Sequence, residues 1–450
     1  MPISPSIIDR LLATSEGSAA FEVSEKLLSA GYECYWVGGA VRDMLLENLP
    51  KDIDMTTSAA PEQIEDLFPK SDDKGKAFGS IVASHKGHTF EITTYREDDD
   101  ITDGRKPASV RFGSKEQDAK RRDATVNAIY FHPVSGDLFD PCKGETDLRE
   151  RLVRFIGDPE VRIKQDALRL LRLVRLRATL SGQYEPKTYE ALKKSADRIA
   201  TLSGTRVFEE IEKILFCPHP EIAFEDLYET GILEYILPEL AVCKGVAQPH
   251  EYHHEGDVWN HLMHVTTMYT EDHGPDVRLA ALFHDIGKPD TFVLKERIRF
   301  DHHAEVSSDI SSKILKRLQM SAEREKKIHW LIRHHMMMAS FATLTEERKA
   351  YWYFHPWFQE LLQLFYLDAA GTVPGNMDFY QSIVTDYDLF LNAHPRPEKP
   401  LLTGHDIMEI LGLTPSEQVG KLSQALHDAQ VRKEVTTKAE AIAFLKKVAG

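Results

Sequence analysis

Apolar positions recur at helical spacing through residues 5–30, with Phe21, Val23, Leu27 and Leu28 in the second stretch and Gly31 placed to stop it, so the chain is predicted to open on helices. The pattern then changes. Tyr35, Trp36 and Val37 read as the end of a strand, Gly38 and Gly39 as a turn needing no side chain, and Ala40 to Leu46 as a helix. Pro61 opens a short helix, PEQIEDLF, with proline in its first turn and acidic residues near its start. Residues 77–95 alternate around Lys86-Gly87, which predicts a hairpin with Phe90 and Ile92 on one face and Glu91 on the other. Residues 96–118 are polar, charge-dense and interrupted by glycine and proline, the composition of a mobile loop. DLFDPCKG reads as a strand and turn ending near residue 142, and from there the pattern is helical. RIKQDALRLLRLVRLR reads as one helix with Leu168, Leu171 and Val174 on its buried side, residues 183–245 continue in helical pattern, and from residue 399 two helices are joined by a turn at Leu413 to Pro415. Strands confined to the first third predict an α+β chain.

Length and charge change this picture in two ways. A chain of 450 residues is about three domains at roughly 100 to 200 residues each, so one core is too few. With 42% hydrophobic and 28% charged residues, collagen-like and disordered classes are excluded. No apolar run approaches the ~18 residues that span a bilayer, and the start, MPISPSIIDR, lacks a basic segment followed by an apolar core; no membrane partner and a cytoplasmic location are expected. Cys34, Cys142, Cys217 and Cys243 have no CxxC spacing, which suggests neither a zinc knuckle nor a disulfide framework. The net charge of −16 argues against wholesale capture of nucleic acid. Yet Lys143 to Arg177 holds ten Lys and Arg against six Asp and Glu, a local balance of +4, and that is where a polyanion would sit.

The candidate chemistry starts at Asp52 and Asp54. In an extended segment residues two apart share a face, so both carboxylates aim at one spot while Ile53 points into the core. Two such acids repel unless a cation joins them, and Mg²⁺ favours carboxylate and phosphate oxygens. Glu91 reads either as a third carboxylate beside them or as a solvated strand residue. Arg121 and Arg122 suit a triphosphate clamp or a solvated basic pair. Asp166, Arg169, Arg172 and Arg175 recur every three residues, predicting one drifting stripe along a helix. A stripe of arginines is commonly a solvated face, but Asp166 accepts where Arg169 donates, the complement needed to read a base edge.

GGAVRD followed by KDID resembles the head of polymerase β-like nucleotidyltransferases, and more closely the bacterial class II tRNA nucleotidyltransferase (CCA-adding enzyme) and poly(A) polymerase family. The resemblance implies a small mixed or antiparallel sheet in the head followed by an all-helical neck, body and tail. It implies that Asp52 and Asp54 are catalytic and hold two Mg²⁺ ions, and that Gly38, Gly39 and Arg42 face the nucleotide. RRDATVNA matches the family's RRDxTxNA motif, carrying triphosphate and ribose contacts onto Arg122, Asp123 and Asn127, with Ala124 where an aromatic residue is usual. Asp103, Arg105 and Pro107 match the DxRxP of the family's flexible loop. The EDxxR motif maps onto Asp166 and Arg169 as readers of CTP and ATP, with Arg172 and Arg175 as further nucleotide contacts and Gln165 in place of the leading Glu.

A third signal follows. His261, His284-Asp285, His303, His335 and Asp368 occur in an order that resembles the HD phosphohydrolase superfamily. The implied ligands of a divalent metal are His261, His284, Asp285 and Asp368, with His303 and His335 as additional ligands or phosphate contacts; His253, His254 and His334 are taken as bystanders. Such a site hydrolyses phosphate esters, or survives as a silent helical scaffold facing RNA. The expected division is a head at 1–142, a neck and body at 143–245, an HD domain at 246–385 and a tRNA-binding tail at 386–450. The expected activity is addition of CCA to the 3′ end of tRNA from CTP and ATP. The alternatives are CC-only or A-only addition, poly(A) synthesis, or a protein that is primarily an HD phosphohydrolase.

Overall fold

Hydroxyl caps start the first two helices: Ser4 accepts from Ile7 N at α1 (Pro5–Leu12), and Thr14 accepts from Gly17 N at α2 (Ser15–Ser29). The computed structural model describes residues 2–72, 75–97, 111–251, 253–375, 377–394, 400–431 and 433–449, in two units, 1–241 and 242–450. Asp103, Arg105 and Pro107 of the predicted loop lie outside the described residues.

The first unit is built on a seven-stranded sheet. After β1 (Cys34–Val37) come α3 (Gly39–Leu45), β2 (Asp54–Thr57), α4 (Pro61–Leu67), β3 (Ser71–Asp72) and the predicted hairpin of β4 (Ser80–His85) and β5 (His88–Thr94). Lys86 and Gly87 both have positive φ, as its tight turn requires. β6 (Arg96–Glu97) pairs with β7 (Arg111–Phe112), and α5 (Lys115–Arg121) begins at a Ser114-Gln117 capping box. The predicted loop 96–118 is therefore shorter at both ends than its composition suggested: its margins pair, and its last residues are already helical. β8 (Tyr130–Phe131) and β9 (Leu138–Phe139) complete the order β3-β4-β5-β2-β1-β8-β9, in which only β2 and β5 run parallel. Met55, Ile81, Phe90 and Ile92 are buried on the side covered by α2 and α4. Asp54 and Glu91 alternate out of that core and stay exposed.

Helices α6 (Gly144–Arg149), α7 (Pro159–Gln165), α8 (Arg169–Leu180), α9 (Pro186–Lys194), α10 (Gly204–Leu215), α11 (Pro220–Glu229), α12 (Leu233–Ile236) and α13 (Pro238–Ala241) follow, with one short parallel pair, β10 (Leu152–Val153) and β11 (Gln183–Tyr184). The single helix expected across Arg162 to Arg177 is two. Asp166 stands in the break with φ −152° and ψ 109°, and its side chain accepts from Leu168 N instead of pointing along a helix face. The three-residue stripe therefore begins at Arg169.

The second unit is helical apart from one hairpin. α14 (Val258–Thr267) starts at Asp257, which accepts from Asn260 N. In α15 (Pro275–Phe283) every residue from Val277 to Phe283 is buried, as for a helix enclosed on all sides, and α14, α18 and α20 pack around it. Then come α16 (Lys288–Thr291), the β12 (Phe292–Leu294) and β13 (Ile298–Phe300) hairpin, α17 (His303–Arg317), α18 (Ala322–His334), α19 (Glu346–Tyr353), α20 (Phe358–Gly371) and α21 (Met377–Ala393). The last stretch holds three helices instead of the two expected: α22 (Gly404–Leu411), α23 (Glu417–Val431) and α24 (Lys438–Ala449). The missed boundary is another reciprocal cap, in which Thr437 accepts from Glu440 N and Glu440 accepts from Thr437 N. Among the described residues no helix is long and apolar enough to cross a membrane.

Candidate functional site

In the head the two acids arrive where β2 begins. Ile53 is buried between exposed Asp52 and Asp54. Asp54 pairs with Val37 of β1, and the parallel register Met55↔Ile92 extended by one residue sets Glu91 beside Asp54. The Asp54 carboxyl is open to water yet largely surrounded by protein. That partial burial, followed by the charges of Asp52 and Glu91, pushes it up to about 6, against the opposing pull of Arg122 and Arg172. Glu91 is thus one of three acids acting on one point, and Ser80 Oγ donates to it at 2.7 Å.

Gly38 closes over this point. Its φ of 74° and ψ of −134° suit glycine alone, and a Cβ there would stand 3.8 Å from Asp54 Oδ2 and 4.0 Å from an Arg122 guanidinium nitrogen. A Cβ on Gly39 would stand 3.5 Å from Arg42. Arg42 donates to Asn127 Oδ1 (3.1 Å) and to Asp43. Asn127 Nδ2 donates to Asp123 (3.2 Å), and Asp123 takes Arg172 Nε at 2.7 Å. Burial opposes the charge on Asp123, but Arg172 and Asn127 outweigh it and hold the carboxyl far below its ordinary range. One polar chain therefore joins α3, the turn at 125–127 and α8. Arg122 is fixed from below: its Nε donates to Tyr130 Oη (3.0 Å) and its guanidinium to Asp118 (3.2 Å), while Tyr130 Oη donates to Asp118 at 2.6 Å.

Not every predicted residue joins this cluster through its side chain. Arg121 turns to buried Asp118, 2.7 Å away, and its carbonyl accepts from Arg169 at 3.1 Å. Arg175 is committed to buried Glu210 of α10. Arg169 also donates to Gln165 Oε1 (3.0 Å), as does Arg162, so an amide oxygen orients Arg169 where the family pattern has a carboxylate. Ala124 is fully buried and bridges Phe155. Asp118, Tyr130 and Arg206 had no chemistry assigned from the sequence; a buried acid three and four residues before two arginines was the available signal for Asp118.

The second cluster lies wholly in the second unit. His261 Nε2 and His284 Nε2 approach to 3.3 Å, with Asp368 Oδ1 at 3.3 and 3.5 Å from them. Asp285 Oδ2 is 3.3 Å from His284 and 3.7 Å from His261. Its other oxygen, Oδ1, faces His303 Nε2 at 3.3 Å and His335 Nε2 at 3.9 Å, and those two nitrogens are themselves 3.3 Å apart. All the Nδ1 atoms are turned away: to Ala281 O (His284), Phe300 O (His303), Ile332 O (His335) and Glu255 (His261), at 2.7 to 3.1 Å. Backbone and carboxylate acceptors on Nδ1 leave the Nε2 lone pairs converging, the arrangement that metal-ligating histidines adopt. Buried nitrogen and oxygen lone pairs this close require a proton or a cation between them, so the donor set fits a divalent metal. Burial opposes charge on His284, but Asp285 and Asp368 push it up to about 10, whereas burial and the neighbouring His284 push His335 down to about 3. Glu255 and Lys288 had no role assigned from the sequence: Glu255 also accepts from Nδ1 of His253, the residue taken as a bystander, at 2.7 Å, and Lys288 Nζ contacts Asp285 Oδ2 at 2.6 Å. A cavity of about 860 Å³ opens over the cluster, lined by Lys288, Arg297, Arg299, Phe300 and Phe365 among others.

Known proteins resemble the chain in three segments. Residues 34–154 match the family described as Poly A polymerase head domain, 183–244 the probable RNA and SrmB-binding site of polymerase A, and 252–353 the HD domain. The "CCA-adding enzyme" of Geobacillus stearothermophilus is 42% identical over 223 residues, 49% of this chain and 55% of that relative; the chain spans about half the length of the curated relatives it matches. The crystal structure of the Bacillus stearothermophilus CCA-adding enzyme in complex with CTP superposes with a TM-score of 0.69 at 26% identity, covering 97% of this chain and 98% of that one. The Thermotoga maritima CCA-adding enzyme complexed with tRNA, at 16% identity and a TM-score of 0.53 over 100% and 99% of the two chains, shares the fold. The matched segments are, in chain order, a polymerase head, a polymerase A segment described as a probable RNA and SrmB-binding site, and an HD domain. In these segments and in its fold the chain is similar to CCA-adding enzymes.

Proposed function

We propose that this protein adds CCA to the 3′ end of tRNA from CTP and ATP without a nucleic acid template, in the cytoplasm. The observation that carries the reading is the convergence of Asp52, Asp54 and Glu91 beneath the Gly38 turn and beside Arg122 and Arg172. Asp52 and Asp54 hold two Mg²⁺ ions, which supply activation of the terminal 3′-OH and neutralisation of the leaving pyrophosphate. Gly38, Gly39, Arg42, Arg122, Asp123, Asn127 and Arg172 take the triphosphate and ribose, and Asp166 with Arg169 reads the base. The division into head, neck and body, HD domain and tail follows the sequence reading, with the tail and the basic stretch around Lys143 to Arg177 serving tRNA. Incubating tRNA that ends before its CCA with CTP alone, ATP alone and both is expected to give two additions, none, and three. One long A tract, or addition that stops at CC with both nucleotides present, overturns the reading in favour of poly(A) or CC-only synthesis.

The raised Asp54 carboxyl sets a pH dependence. Its folded value of about 6 lies above the unfolded value near 3.9, so without metal the unfolded chain binds fewer protons in that window and stability falls as pH rises from about 4 to 6. The Asp54 carboxyl would have to give up that proton to hold Mg²⁺. Stabilisation by Mg²⁺, read as the melting shift at fixed ion concentration, is therefore expected to be larger at pH 7 than at pH 5, and Asp54→Asn to flatten the difference.

The second unit we assign a metal-dependent phosphohydrolase activity, carried by the sharing of Asp285 between the His261-His284-Asp368 and His303-His335 groups. His261, His284, Asp285 and Asp368 hold one divalent ion, and His303 and His335 with Asp285 hold another or contact the ester phosphate; the bound ion supplies a lowered water pKa and a polarised phosphate.

A further inference from the structure

Asp166 lies outside the helix that carries Arg169, so helical packing does not fix where its carboxylate points. Two groups do. Leu168 N donates to Oδ1 at 3.1 Å, and one guanidinium nitrogen of Arg206 donates to both oxygens, at 3.0 and 3.1 Å. Arg206 comes from α10, where Ser203 accepts from its backbone N–H and sets it in the first turn. Four residues on, Glu210 of the same helix holds Arg175 of α8, so α10 is pinned across the Asp166 break and along α8 by two ion pairs. Arg172, which pairs with Asp123, also feels the charge of Asp166, so the carboxylate held by Arg206 lies within electrostatic reach of the Asp123–Arg172 pair.

We propose that Arg206 is a positioning residue for base selection, holding Asp166 so that one acceptor faces the amino group that cytosine and adenine share. This rests on the reading of Asp166 and Arg169 as the base-reading pair. Cytosine and adenine each carry an exocyclic amino donor, whereas uracil and guanine carry a carbonyl acceptor there. A carboxylate only accepts and a guanidinium only donates, so a fixed Asp166 beside Arg169 matches the first two bases and opposes the others. The count of lone pairs allows it. Of the roughly four acceptor sites on a carboxylate, Arg206 and Leu168 use three, two on Oδ1 and one on Oδ2. One on Oδ2 is left for the base. A carboxylate released from Arg206 turns freely, and an acceptor without a fixed direction discriminates less.

The test is single-nucleotide incorporation by the full chain with CTP, ATP, UTP and GTP, comparing wild type with Arg206→Ala and Arg206→Lys. The alanine variant is expected to raise KM for CTP and ATP by about tenfold, the scale of one charge-assisted pair, with a smaller change in kcat and a larger share of UMP and GMP. Lysine restores part of both, since a point charge holds the carboxylate without the planar fork. If Arg206→Ala melts early, Arg206→Gln, which keeps part of the aliphatic stem, takes its place. Unchanged KM and fidelity in a folded variant overturn the proposal. So does a lowered KM, which makes Arg206 a latch that blocks Asp166. Asp166→Asn separates the two levels: retained discrimination in that variant sinks the base-reading assignment itself, whatever Arg206 does.

Discussion

Asp54→Ala and Asp52→Ala each lose CMP and AMP incorporation by at least about 10³-fold in kcat, the scale of several kcal/mol of charge stabilisation supplied by a catalytic metal. Binding of tRNA, measured by filter retention, stays close to wild type, because removing an acid from a polyanion's neighbourhood takes away no attractive contact. The folded state does not suffer either. Among the described residues no cation pairs directly with Asp54; its partial burial and its neighbours of like charge push its carboxyl up to about 6, so the acid is a strained element kept for function. The alanine variant is therefore expected to melt at or above the wild-type temperature at pH 7 without Mg²⁺. Glu91→Gln, which keeps the acceptor for Ser80 Oγ while removing the third charge, gives a smaller loss and a higher Mg²⁺ requirement. Persistent incorporation by Asp54→Ala, checked by mass of the extended tRNA, would remove the head acids from catalysis.

What could be read from the sequence followed from period and spacing. The i, i+2 rule placed Asp52 and Asp54 about buried Ile53, and the hairpin at Lys86-Gly87 placed Glu91 opposite Phe90 and Ile92. Those are local regularities. Three things escaped, two of them decided by side chains that bond nearby backbone and the third by partners elsewhere in the chain. Asp166 ends a helix although its neighbours spell a helix on both sides, since a short acid side chain satisfies Leu168 N directly. The Thr437-Glu440 cap divides a run that period alone reads as continuous. Arg206, Asp118 and Glu255 act through partners about 40, 4 to 12 and 6 residues away respectively, and only the folded chain brings such partners together. Arg175, a nucleotide contact by the family resemblance, is held by α10, whose Glu210 side chain is buried and needs a cation.

In the second unit the residue with the largest expected effect is Asp285. One oxygen faces His261 and His284 and the other His303 and His335, so Asp285→Ala disconnects both groups of nitrogen ligands at once. Bound metal, counted by elemental analysis after dialysis, is expected to fall to background and phosphate-ester hydrolysis with it, while CMP and AMP incorporation continues. The fold is affected as well. Among the described residues Lys288, 6% exposed, then keeps Gln248 Oε1 as its one side-chain acceptor, at 2.6 Å, and breaking a buried ion pair from one side costs about 3–5 kcal/mol. Pairing the change with Lys288→Met removes the orphaned charge, so the double variant is expected to regain most of the lost stability but none of the metal. That split distinguishes a ligand from a structural acid: if the double variant binds metal as the wild type does, Asp285 only neutralises Lys288 and the shared-carboxylate centre is not there. Wild-type metal binding is also expected to release protons, since His284, held up to about 10 by Asp285 and Asp368, must give up its proton to coordinate. Titration calorimetry in two buffers of different ionisation enthalpy reads that release directly, and its absence is incompatible with His284 as a ligand.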